Sequence, residues 1–201
     1  MTAHVGVDAL THGIEAYVSR KANPITDPIA LSAITKIHAN LRTAWSDAGN
    51  GKAREAMSLA ALQGGLAFTN SSVCLVHGMS RPLGLMFRLP HGLSNSVLLP
   101  TVTRFSWPGA EQRYAEIARA IELASAKNPD RLACESLTAW LDELNHDLQV
   151  PRLRECCGGD VERFRGLLTK MATDALDSGS PQNNPVVPAA SQIVELFEQA
   201  W

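Results

Sequence analysis

Charge of one sign is what this sequence has least of. Its 201 residues carry 18 Lys and Arg against 20 Asp and Glu, a formal net charge of −2. That balance provides no broad field for nucleic acid or an acidic membrane, so neither is expected as a partner. Cysteine is scarce too, confined to Cys74, Cys134, Cys156 and Cys157. The adjacent pair has neither the C-x-x-C spacing of a zinc knuckle nor easy geometry for a mutual bridge. A disulfide framework is thereby excluded, and a reducing cytoplasmic setting is the simplest expectation. No apolar run reaches the length of a membrane span, and the first residues lack the charged-then-apolar order of a signal peptide. Aromatic residues make up only 5%, and few stretches alternate apolar with polar side chains. With Ala and Leu abundant, this composition favours helix over sheet. No glycine-rich phosphate loop follows a plausible strand, since Gly64-Gly65 and Gly158-Gly159 are isolated pairs.

What is present reads as an all-α array of about eight helices spanning residues 1–201. Val7 to Val18 places Leu10, Ile14, Tyr17 and Val18 on one helical face, and the polar segment Ser19 to Ile25 ends it. Asp27-Pro28 is a start signal, a capping carboxylate followed by proline, for a helix running to about Ala48. Gly49-Asn50-Gly51 then terminates it. From Lys52 towards Val76 a weakly charged Ala/Leu-rich segment reads as the buried centre of the domain. Arg81 to Pro90, with two prolines and Gly84, reads as an ordered loop. His91 to Phe105 resumes helix, with Pro100 expected to kink or split it. Ala110 to Ala126, Pro129 to Leu148 (capped by Asn128) and Asp160 to Leu176 follow. Asp177 to Pro188 cannot be helical throughout, and Ala189 to Trp201 closes the chain as an amphipathic helix.

Three of the six histidines keep unusual company. Asp8 and His12 are four residues apart, so their side chains share one face a turn apart. That spacing presents a carboxylate and an imidazole to one ion, although on a surface helix it is commonly only a side-chain contact. His77 follows a nearly uncharged helix, where a lone histidine is otherwise a satisfied core residue. His91 follows Pro90 at a helix start. A loop between them that turns back would bring both rings together. Three imidazoles and one carboxylate form a mixed set suited to Fe(II), Zn(II) or Co(II) rather than Mg(II) or Ca(II). His4, His38 and His146 lack such partners and read as ordinary surface or core histidines.

The stretch Gly6-Val-Asp-Ala-Leu-Thr-His-Gly-Ile-Glu-Ala-Tyr17 resembles the metal-site helix of the iron-containing alcohol dehydrogenases. His77-Gly-Met-Ser-Arg-Pro-Leu-Gly84, Leu89-Pro-His-Gly-Leu-Ser-Asn95 and Val97-Leu-Leu-Pro100 resemble that family's second signature. Asn23-Pro24, Asp27-Pro28 and the Asn184-Pro185 region extend the likeness over nearly the whole chain. The resemblance implies the helical C-terminal domain of such an enzyme, with Asp8, His12, His77 and His91 as ligands of Fe(II), or of Zn(II) in its place. It also implies interconversion of a small alcohol with an aldehyde or ketone by NAD(P). The metal would serve as Lewis acid and the nicotinamide as hydride acceptor. His77 and His91 would thus stand at the catalytic centre, and Phe68 would line the substrate pocket unless it is plain core packing.

Two departures accompany the resemblance. Arg81 stands where many relatives carry histidine, and arginine can neither relay a proton near neutral pH nor ligate a metal. It would bind a substrate carboxylate or cofactor phosphate through a bidentate contact, or else tie its loop to a helix C-terminus. The NAD(P)-binding α/β domain also has no counterpart among these residues, so the chain alone is expected to be inactive without that N-terminal partner. A homo-oligomer is expected, as in relatives. The alternatives are a non-catalytic helical metal-binding or association module, and a related reductase that has lost metal dependence; the four intact ligand positions argue against the latter.

Overall fold

Helix is the only regular structure among the described residues, 2–201, of the computed structural model, which contain no strand. Ten α-helices follow one another: α1 (Thr2–Val18), α2 (Asp27–Ser46), α3 (Gly51–Ser71), α4 (Leu75–Phe87) and α5 (His91–Ser106), then α6 (Glu111–Ala120), α7 (Asp130–Asp147), α8 (Leu153–Cys156), α9 (Val161–Asp177) and α10 (Ala190–Ala200). Short 3-10 turns cover Trp107–Gly109 and Ser180–Asn183. The two helices beyond the expected eight are α8, a single turn, and α4, which takes up most of the segment read as a loop.

Local chemistry explains most boundaries. Asn50 accepts a hydrogen bond from the Ala53 N–H, and Asp160 accepts one from the Arg163 N–H, each capping the helix that follows. Asp27 lies inside α2 rather than capping it, and its carboxylate pairs with Arg113 on α6. Asn128 is not the cap of α7; its side chain folds back to accept the Ser125 N–H, and Pro129 takes the cap position.

Both interior prolines stay within unbroken helix. Pro100 cannot donate to the carbonyl four residues before it, that of Ser96. The Asn145 side chain on α7 donates to that carbonyl at 2.7 Å instead. An inserted partner thus replaces the missing bond, and α5 is not split.

The buried centre is α1, not α3. Val7, Leu10, Ile14 and Ala16 on α1 are essentially inaccessible, packed in one core with Ile34, Ile37 and Leu41 of α2 and with Leu75, Met79 and Leu98 from α4 and α5. On α3 only Ala53, Ala60, Gly64, Ala67 and Ser71 are buried, while Leu59, Leu62 and Leu66 are 46%, 60% and 50% exposed. The physical reason is close approach. A methyl group on Gly64 would lie 3.2 Å from the Ala9 carbonyl oxygen, so α3 docks on α1 through its small residues and turns its leucines outward. No single helix is long and apolar enough to cross a membrane.

The chain bends by 105° between α3 and α4. Ser72 makes the turn at a positive φ of 69°, and Asn183 holds it there by donating to the Ser72 hydroxyl and the Val73 carbonyl. This bend points the start of α4 back at α1. It is the step that positions the site.

Candidate metal centre

Three helices converge to build one cluster. Asp8 and His12 come from one face of α1, His77 from the first turn of α4, and His91 from the first residue of α5. One donor atom from each of the four lies within 4.8 Å of all the others. The Asp8 carboxylate oxygen is 3.6 Å from His77 Nε2, 3.6 Å from His91 Nε2 and 4.0 Å from His12 Nε2. Donors bound about 2.1 Å from one tetrahedral ion would be separated by roughly 3.4 Å, so these spacings match a single ion.

His77 is aimed by Glu15, which is buried. Its Oε2 accepts the Cys74 N–H at 2.8 Å and faces His77 Nδ1 at 2.6 Å, while Oε1 accepts the Val76 N–H at 2.6 Å. One carboxylate therefore caps α4, which has no capping side chain of its own, and fixes the proton on Nδ1 of His77. Nε2 is left facing the cluster. This is the arrangement in which a carboxylate orients a metal-ligating imidazole from behind.

Asn95, one turn past His91 on α5, occupies the middle of the group. Its Nδ2 donates to Asp8 at 2.5 Å and stands 3.2 Å from both His77 Nε2 and His91 Nε2. Its buried Oδ1 has no partner. The Asp8 carboxylate and the His77 and His91 ring nitrogens thus converge on one electropositive NH2 group, the kind of point a cation would take. The fit to a divalent ion rests on that convergence and on the N/O donor set.

The protonation pattern follows from the surroundings. Burial first, then the neighbouring His77 charge, push His12 down to about 4. Burial opposes a charge on His77 too, but the Glu15 and Asp8 carboxylates outweigh it and raise this imidazole to about 9. Burial, with His77 and Arg81 adding to it, also lowers His91. Burial acts against Asp8 ionising, yet hydrogen bonds involving His77 and Asn95 and the charge on His12 hold its carboxyl below the ordinary value. The Phe68 ring stacks on His12 with centroids 4.4 Å apart, and His12 stacks in turn on His77 at 4.6 Å. Phe68 therefore packs directly on a cluster residue.

The four expected ligand positions are brought together, but not by a loop folding back, because His77 is helical. Arg81 is exposed and ties no helix end; Arg163 supplies that tie by donating to the Met86 carbonyl near the end of α4. His146 is exposed, while His4 and His38 are half-buried and not among the four converging residues. Glu15 and Asn95 are the site residues that the spacing argument passed over. Their signal was legible: Glu15 continues the face of Asp8 and His12 at helical spacing, and Asn95 is one turn from His91.

The model of the Fe-containing alcohol dehydrogenase family, C-terminal, matches residues 2–201, and the chain belongs to that family. It is 38% identical over 205 residues to a 1,3-propanediol dehydrogenase of Citrobacter freundii, covering 100% of this chain and 51% of that protein. It is 34% identical to an NADPH-dependent butanol dehydrogenase of Clostridium saccharobutylicum, over 98% of this chain and 50% of that one. A crystal structure of 1,3-propanediol oxidoreductase superposes with a TM-score of 0.93 at 36% identity, covering 99% of this chain and 51% of its own. The chain thus spans about half the length of the curated relatives it matches, and the all-helical fold is that of their C-terminal halves.

Proposed function

We propose that this chain is the metal-binding part of an NAD(P)-dependent alcohol dehydrogenase that interconverts a small alcohol with its aldehyde or ketone. The observation that carries the reading is the convergence of Asp8, His12, His77 and His91 on one point, inside a chain of this family. Fe(II) is the ion we favour, from the family, with Zn(II) fitting the same donors. When bound, such an ion supplies Lewis-acid polarisation of an alcohol oxygen.

The chain's own residues prepare that event. Glu15 holds the proton on His77 Nδ1, so Nε2 is the nitrogen that faces the cluster and would give up its proton to a bound ion. Burial keeps His12 neutral, so it presents a free pair. Phe68 covers one face of His12 and keeps water from that side. A nucleotide-binding half, as the length of the relatives implies, would supply the hydride acceptor. We place it against the exposed leucines of α3, an apolar stripe with no cover in this chain.

Reconstitution tests the reading. Purified chain incubated with Fe(II) or Zn(II) should retain close to one ion per chain by elemental analysis, and His77→Ala should retain none. A folded wild-type chain that holds no ion would overturn the proposal and leave a non-catalytic helical module.

A further inference from the structure

Beside the metal cluster opens a recess of ≈ 590 Å³ whose lining includes Lys21, Phe68, Ser72, Arg81, Ser180 and Asn183. Its lining contains two cations and no carboxylate. Among the described residues, no hydrogen bond or ion pair engages the Arg81 guanidinium or the Lys21 ammonium.

The recess is tied to the cluster in two ways. Phe68 belongs to both, lining the recess while stacking on His12. Arg81 lies one turn beyond His77 on α4, an axial rise of about 6 Å.

The wall is firmly built. Asn183 donates to the Ser72 hydroxyl at 2.9 Å and accepts the Arg20 N–H at 2.8 Å, so the segment bearing Lys21 and the bend before α4 are anchored to one residue. Two unpaired cations lining one recess leave room for an anion, and a guanidinium fork matches a carboxylate or sulfonate in two parallel bonds.

Resting on the function proposed above, we infer that Arg81 and Lys21 bind the anionic end of the substrate, a short hydroxy acid or the corresponding aldehyde acid. The 2′-phosphate of NADP offers similar chemistry, but it sits on the adenosine ribose, at the far end of the cofactor from the reacting carbon. A group one helical turn from the cluster is placed for the substrate instead.

Calorimetric titration of this chain, with and without Zn(II), tests the assignment using 4-hydroxybutanoate, neutral 1,4-butanediol and 2′-AMP as probes. At low salt the hydroxy acid should bind at least about ten-fold tighter than the diol, the margin of one charged hydrogen-bonded contact. Arg81→Gln and Lys21→Gln should each shrink that ratio without altering diol binding or metal content, and Arg81→Lys should retain part of it. Both residues are exposed, and unchanged thermal melts would confirm folding. A ratio near one in the wild type, a ratio that survives the double substitution, or 2′-AMP as the only anion weakened would overturn the inference. Loss of metal retention with the ratio intact would instead sink the dehydrogenase reading alone.

Discussion

Glu15 satisfies three donors with two oxygens, and that makes it the residue on which the cluster most depends. Glu15→Gln leaves a single acceptor oxygen and sets an NH2 group against the N–H groups of α4 or His77. We expect about 1–3 kcal/mol of lost stability and a metal affinity weakened about 10–100-fold, read by denaturant melts and by competition with a chelator. An unchanged affinity would mean that His77 is aimed by its helix alone. His38 offers a separate test through pH. Burial first, then the nearby Arg42, hold its imidazole below 6.5, and its ring tilts against Trp140 at 5.1 Å. The unfolded chain therefore takes up this proton first as pH falls, so stability drains away below 6.5. His38→Phe keeps the ring contact without the titration, and its melting temperature should decline less steeply on acidification.

At the scale of elements, the ligand set depends on how closely α5 meets α1. A methyl group on Gly92 would come 2.5 Å from the His4 carbonyl oxygen and 2.8 Å from its carbon, both backbone atoms that cannot swing aside. Gly92→Ala must push the start of α5 outward and carry His91 with it. Overpacking of this kind costs about 1–3 kcal/mol, or about 2–4 °C of melting temperature per kcal/mol in a chain of this length. Metal affinity should fall along with it; a drop in melting temperature with affinity preserved would show that α5 relaxes elsewhere. The same scale explains where the reading from sequence departed from the molecule. Pro82 and Gly84 argue for a loop on local grounds, yet packing against α5 and α9, with Glu15 capping the start, keeps Leu75–Phe87 helical. Propensity is a weak prior that tertiary contacts override. The buried centre lies in α1 and not in α3 for a related reason, because an Ala/Leu-rich helix has the same composition whether its leucines or its small residues face inward.

For the molecule as a whole, metal and surface make distinct predictions. An ion bound only by the folded chain should stabilise it by about 2.7 kcal/mol at a hundred times its dissociation constant, and this rise should vanish in His77→Ala. Leu59, Leu62 and Leu66 form the largest exposed run of leucines on one helix, so the chain by itself should self-associate or bind a hydrophobic dye. Replacing all three by Gln should abolish that behaviour while leaving the melting temperature nearly unchanged, since each is about half or more exposed. Sedimentation and dye fluorescence would check it, and association that persists in the triple variant would place the sticky surface elsewhere.

The sequence by itself determined the helical class and the limits of most helices, and its motifs, through their resemblance to a known family, singled out the four donors that converge. Those are properties of local chemistry: side-chain composition, capping residues and motifs a few residues long. Only the tertiary structure decided that Glu15 and Asn95 belong to the site and that His77 reaches it from a helix. It likewise decided that α1 lies at the centre, and that Arg81 and Lys21 share a recess. Each of these depends on which residues meet across 50 or more positions of chain, and that is set by the 105° bend at Ser72 and the close approach allowed by Gly64 and Gly92.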